Sequence, residues 1–226
     1  MTILALDASG PTCSVAVMRD DRLLYEATSD TGLNHSMVLL PMAENALSAC
    51  GLSMRGVDRL ATAVGPGSFT GVRIGVATVK GLALPYDTPC VGVDALRAYA
   101  AGVSFEGIVC PIRDARAGQV YGAAFLGGER LLDDVIERLE AYADRLPKAG
   151  DLMFIGDGVP AFRAALSERF GRRARFAPPH LNGRKAGAVA YLARLAEAVP
   201  GDDLSPLYLR APQAERERLK REQADG

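Results

Sequence analysis

Asp7 and Ser9 stand two residues apart at the end of a short apolar run, Thr2-Ile3-Leu4-Ala5-Leu6. A carboxylate and a hydroxyl at a strand end can hold a water or a phosphate. The same Asp can equally end the strand and cap the turn behind it. A second candidate is Gly65-Pro66-Gly67-Ser68-Phe69-Thr70-Gly71. A glycine-rich turn that opens a helix attracts anions, because its free N–H groups and the helix dipole point out of the N-terminus. The loop lacks a closing Gly-Lys-Ser/Thr, so it is not a Walker A loop. Its spacing does not fit a dinucleotide fingerprint either. Nor is it Gly-x-Ser-x-Gly, since the second Gly comes one residue late. The two histidines, His35 and His180, are far apart and lack the i, i+4 spacing of a helical metal pair. Asp114 and Arg116 can pair to fix a turn, but no nucleophile is evident beside them. The residues therefore predict no catalytic metal, no resident cofactor and no nucleophilic triad.

The elements that must position these groups follow from pattern. Thr2 to Asp7, Cys13 to Met18 and Arg22 to Thr28 are β-rich runs joined by tight turns, an antiparallel meander. Leu60 to Val64 adds a fourth strand after a helix, which permits parallel pairing in the same sheet. The first helix spans about His35 to Cys50 and carries more apolar surface than one neighbour can cover. Pro41 either starts it or kinks it. The second helix runs from Ser68 or Thr70, either of which can cap it, to about Leu84. It carries an apolar stripe of Val72, Val76, Val79 and Ala83, beside a stripe of Gly71, Gly75 and Thr78. Gly inside a helix costs about 1 kcal/mol against Ala, so the glycines point to a close approach of another helix or a ligand.

Asp94 to Ala101 reads as a short capped helix. Ile108 to Arg116 and Gln119 to Phe125 read as two strands around a turn at Gly118, and Leu152 to Ile155 as another. Pro160 to Phe170 and Arg184 to Val199 read as helices, the latter with Ala188, Tyr191, Leu192 and Leu195 on one face. Glu215 to Gly226 is a charged tail that buries little. No internal repeat is visible in the sequence.

The chain has 226 residues, 49% of them apolar, enough for a substantial core. Its formal net charge of -1 gives no electrostatic footprint for tight RNA binding by the chain alone. Four cysteines, Cys13, Cys50, Cys90 and Cys110, are scattered without a Cys-x-x-Cys pair, and buried free thiols are expected. The N-terminus does not read as a signal peptide, and no run approaches the about 20 apolar residues of a membrane span. A cytoplasmic protein is expected.

Gly-Pro-Gly-Ser-Phe-Thr-Gly-Val-Arg-Ile-Gly, starting at Gly65, resembles the signature of the TsaB (YeaZ) family, which takes part in making threonylcarbamoyladenosine in tRNA. Asp114-Ala115-Arg116 followed by Val120-Tyr121, and the closing Ser205-Pro206-Leu207-Tyr208-Leu209-Arg210, are similar to that family as well. The resemblance implies a reduced actin-like/Hsp70-like (ASKHA) α/β fold with two subdomains, each a mixed sheet flanked by helices. The expected divisions are 1–103, carrying a dimer interface; 104–214, a reduced second subdomain; and 215–226, the tail. Asp7, Ser9, Gly65 and Gly67 then mark a vestigial nucleotide site. The implied function is that of a non-catalytic partner, which dimerises with a TsaD-like catalytic subunit and supports a TsaE-like ATPase. A homodimer is open in isolation, and tRNA is reached only through the complex. The expected interface comprises Val38, Leu39 and Met42 of the first helix with Gly71, Val72, Gly75, Val76 and Val79 of the second. The alternative is a minimal ATP-dependent transferase that works through Asp7, Ser9 and the Gly65–Gly71 loop.

Overall fold

The computed structural model describes residues 1–32, 34–183 and 186–209. In chain order the first half contains β1 (Thr2–Asp7), β2 (Cys13–Arg19), β3 (Arg22–Ser29), α1 (His35–Ala49), β4 (Arg59–Gly65), α2 (Phe69–Ala83), β5 (Cys90–Asp94) and α3 (Ala95–Ala101). The second half contains β6 (Ile108–Arg116), β7 (Gln119–Leu126), β8 (Glu129–Arg138), α4 (Leu139–Arg145), β9 (Leu152–Ile155), α5 (Val159–Phe170), β10 (Ala174–Phe176) and α6 (Ala186–Ala193). The two halves run through the same order of strands and helices. Each forms a five-stranded mixed sheet, ordered β3-β2-β1-β4-β5 in lobe I and β10-β9-β6-β7-β8 in lobe II. Each sheet joins an antiparallel meander to two parallel strands. A repeat is thus present in topology although none is visible in the sequence.

The first strand is buried on both faces along its whole length, as a central strand covered by helices must be. One face of sheet I meets α1 and α2, through Leu39, Ala43, Val72, Val76 and Val79. The other meets α3 and α6, through Ala95, Ala98, Ala186, Val189, Ala190 and Ala193. In α3, Leu96 also packs with Ala123 and Phe125, and Tyr99 with Val109 and Ile155. This short helix therefore touches both sheets and sits between the lobes. The three lobe I helices α1, α2 and α3 each start where a side chain accepts orphan N–H groups: Asn34 for Ser36 N at 3.4 Å, Ser68 for Gly71 N at 3.2 Å, and Asp94 for Leu96 N and Arg97 N at 2.7 and 3.1 Å. Pro41 lies inside α1, which continues across it.

Three expectations need correction. The predicted helix over 184–199 is α6 alone and stops at Ala193, where Arg59 Nη1 donates to the carbonyls of Ala193 and Ala196 at 3.1 and 2.9 Å. A cation at the open carbonyl end ends the helix favourably. Its buried face is Ala186, Val189, Ala190 and Ala193, while Tyr191 and Leu195 are exposed. Small residues win that face because they let the helix approach a sheet surface that is itself rich in Ala. The division at 104–214 is not a lobe boundary either. α6 packs on sheet I, and Val199 bridges Cys90 through two backbone hydrogen bonds of 2.8 Å. Leu204 is buried in the lobe I core and Leu207 N donates to Val64 O at 2.7 Å. The chain thus returns to lobe I as a strap. Arg210 of the closing segment and the charged tail lie outside the described residues.

Candidate functional site

Three turns converge between the lobes: the one after β1, the one before α2 and the one after β9. Asp7 Oδ1 accepts from Ser9 N at 2.9 Å and Ser9 Oγ at 2.5 Å, which fixes the first turn. Ser9 O then accepts from Ser68 N at 2.9 Å, tying the first turn to the second. Asp157 holds the third turn against β6, since its Oδ1 accepts from Asp114 N at 3.3 Å. At the centre lies the guanidinium of Arg113, buried although it is charged. Its Nε donates to Asp157 Oδ2 at 2.9 Å, Nη1 to Pro66 O at 2.6 Å and Nη2 to Ser9 O at 2.5 Å.

The structure brings Asp7, Ser9 and Gly67 to this point. Gly67 must be Gly, because a Cβ there would collide with Arg113 Nη1 and with Ser9 O. Gly65, at φ +120°, faces the strap instead, and a Cβ on it would stand 2.5 Å from Leu207 O. Asp114 and Arg116 make no ion pair; Arg116 N donates to Asp114 Oδ1 at 2.7 Å, and the turn is held through backbone. Beside the guanidinium opens a cleft of about 1040 Å³, lined by the start of α2, the β6–β7 turn and Leu207–Leu209 of the strap. His35 lies on its wall, with Nε2 at 3.3 Å from Pro11 O. Burial, aided by the Asp7 carboxylate, pushes the Cys13 thiol up to about 12, so it stays protonated and unreactive. Cys13, Cys90 and Cys110 are buried and free, as the sequence indicated. Among the described residues no cluster of His, Cys, Asp or Glu could hold a metal ion.

Arg113 and Asp157 were not singled out from the sequence. The available signal was an arginine directly after the apolar run Ile108-Val109-Cys110-Pro111-Ile112, together with an acid in a Gly-Asp-Gly turn. A charge at a strand position that must be buried needs a partner.

The second candidate is the outer face of α1 and α2. Met37 and Leu40 are 69% and 42% exposed, and Val38 and Met42 are half-buried. On α2 the outward positions are Arg73, Ala77 and Gly81, flanked by half-buried Ile74, Thr78 and Leu82. This corrects the expected interface. Leu39, Val72, Val76 and Val79 are no more than 5% exposed and belong to the chain's own core. Gly71 and Gly75 do mark a close approach, but the approaching body is internal: Ala8 O against Gly71 and Thr62 Oγ1 against Gly75. The apolar stripe packs on sheet I, so the positions left exposed lie one helical face further round. There the small pair is Ala77 and Gly81, and Gly81 has open space at its Cβ position.

A sequence profile described as TsaD, tRNA N6-adenosine threonylcarbamoyltransferase, matches residues 29–217. The tRNA threonylcarbamoyladenosine biosynthesis protein TsaB of Bacillus subtilis is 33% identical over 221 residues, 95% of this chain and 96% of that protein. The solved structure of YeaZ from Pseudomonas aeruginosa superposes with a TM-score of 0.77 at 31% identity, covering 92% of this chain and 99% of that one. The activator of 2-hydroxyisocaproyl-CoA dehydratase from Clostridium difficile, solved with bound ADPNP, shares the fold at a TM-score of 0.55 and 10% identity, over 85% and 94% of the two chains. With its paired sheets and flanking helices, the chain is an actin-like, two-lobed protein of the ATPase-fold class. Within that class it belongs to the TsaB (YeaZ) family, whose members serve the synthesis of threonylcarbamoyladenosine in tRNA.

Proposed function

We propose that this chain is a non-catalytic subunit of the threonylcarbamoyladenosine machinery. It pairs through the outer face of α1 and α2 with a TsaD-like catalytic subunit, and the pair supports a TsaE-like ATPase. The observation that carries this reading is that apolar face. Met37 and Leu40 on one helix and Ala77 and Gly81 on its neighbour are exposed among the described residues, with half-buried Val38 and Met42 beside them. Such a surface suits a matching helix pair, with backbones approaching at the small residues. About a two-fold axis it is also self-complementary, so a second copy can occupy it when the catalytic subunit is absent. Lobe I is then the docking lobe, and tRNA is met only through the complex. The chain works in the cytoplasm without a cofactor of its own; among the described residues no helix is long and apolar enough to cross a membrane.

The non-catalytic assignment draws support from the cleft, where Gly67 faces a guanidinium rather than open space. The test is threonylcarbamoyl transfer to tRNA with threonylcarbamoyl-AMP and ATP. The chain alone is expected to give no product, and the mixture with TsaD-like and TsaE-like proteins to give product. Transfer by the chain alone would overturn the assignment in favour of the Asp7–Ser9 transferase.

A further inference from the structure

We propose that Arg113 is a built-in cation that latches the two lobes, filling an oxygen-lined hole that would otherwise need a bound ion or ligand to stay closed. The hole has walls from both halves of the chain. Ser9 O and Pro66 O come from lobe I, and the Asp157 carboxylate comes from lobe II. Arg113 itself sits on β6, so its Nη1 and Nη2 reach across to lobe I while Nε holds the lobe II turn. The side chain is 5% exposed and that of Asp157 13%, so the pair lies largely out of water. A guanidinium in such a place is tolerable only when its donors are satisfied. The planar fork suits this task, since it can address a carboxylate and two carbonyls at once.

The surrounding glycines are shaped to that cation. Gly67 has no room for a Cβ because of Arg113 Nη1. A Cβ on Gly158 would lie 3.0 Å from the backbone of both Arg113 and Asp114. The third turn is thus seated directly on the strand that carries the latch. The consequences reach beyond the hole. Ser9 O, which receives Nη2, also receives Ser68 N, the cap residue of α2. The latch therefore fixes the start of α2, and with it the wall of the open cleft. In this chain the interlobe angle is set internally.

The test removes the cation and offers it back. Arg113→Ala leaves two carbonyls and a carboxylate facing one void. The full-length variant is expected to melt roughly 10 °C below the parent. Backbone hydrogen exchange should rise on the order of tenfold at residues 9–12, 67–72 and 156–159 together, because the opening uncouples turns of both lobes. Methylguanidinium at millimolar concentration should restore both properties saturably, whereas methylammonium should not, and the parent should respond to neither. Unchanged exchange, a rise confined to one lobe, or equal rescue by both cations would overturn the latch. Asp157→Asn serves if Arg113→Ala does not fold. It should raise exchange at the same three turns without rescue by methylguanidinium, since the hole is still filled; exchange unchanged at residues 9–12 and 67–72 would overturn the proposal.

Discussion

The two lobes share one order of elements, yet they differ in what the helices outside the sheet are for. The helix between the third and fourth strands has 15 residues in lobe I and 7 in lobe II. The next helix has 15 residues in lobe I and 12 in lobe II. α5 buries only Val159 and Leu166 and turns Arg163, Glu168 and Arg169 to solvent. α1 and α2 bury a full face on sheet I and still show Met37, Leu40 and Ala77 outside. A helix that only has to cover a sheet needs one apolar face. The second face on lobe I is surplus to folding, and exposed apolar patches of that kind mark interaction surfaces. On the proposed reading, the same topology serves as a support in lobe II and as a docking face in lobe I.

The contrast can be broken most severely inside α2, by separating its two small-residue stripes. Gly71→Val drives a branched side chain into Ala8 O. It should cost about 4 kcal/mol or more, roughly 8–16 °C in Tm. A Cβ at Gly81 would meet nothing within 4 Å, so Gly81→Val should change stability by less than about 1 kcal/mol. Equal losses in thermal denaturation would mean that the inward and outward stripes have been wrongly assigned. Lobe II can be probed through Tyr142, which is fully buried and donates to Ala123 O at 2.8 Å. Tyr142→Phe removes that hydrogen bond and should cost about 1 kcal/mol in urea denaturation. It should leave partner binding unchanged.

The smallest effect concerns a second contact between the lobes. Arg130 of lobe II pairs with Asp94 of lobe I and with Asp134 of its own strand, and it lies 4.8 Å over the Phe125 ring. Burial first, and the neighbouring Asp94 second, push the Asp134 carboxyl up to about 6. An unfolded Asp titrates near about 3.9, so between about pH 4 and 6 the folded chain holds the extra proton. This group's contribution is present at low pH and is lost as pH rises through about 6. Asp134→Asn removes that loss. Its Tm relative to the parent should therefore climb by roughly 2–4 °C between pH 4 and 6.5, then stay level. A constant difference across that range would refute the assignment.

Much of lobe I was legible in the sequence, because β1, β2 and β4 are largely apolar runs and α2 and α3 start at the capping residues Ser68 and Asp94. β8 was not. Glu129-Arg130-Leu131-Leu132-Asp133-Asp134-Val135-Ile136-Glu137-Arg138 mixes charge with apolar residues on a largely exposed strand, so no two-residue period stands out. α4 is too short to show a helical one. The face of α6 was misread because large side chains were weighted over alanines. The glycine loop was legible as a close approach, but not what approaches it. Helix periodicity finds an apolar stripe without saying which of two apolar faces meets the sheet. Arg113 depends on contacts 44, 47 and 104 residues away along the chain, which local pattern cannot carry.

The central claim, that the surplus face of α1 and α2 is the docking surface, is tested most directly by affinity for the TsaD-like catalytic subunit, measured by titration calorimetry. Two double variants are compared. Met37→Glu with Leu40→Glu alters lobe I, and Leu126→Glu with Leu131→Glu alters lobe II at positions of similar exposure, 44% and 48%. Both should stay folded, since all four side chains reach solvent. The lobe I variant should bind on the order of a hundredfold more weakly, as expected when charges are buried unpaired at an interface centre. The lobe II variant should match the parent. A folded lobe I variant that binds with the parent's affinity would contradict the account.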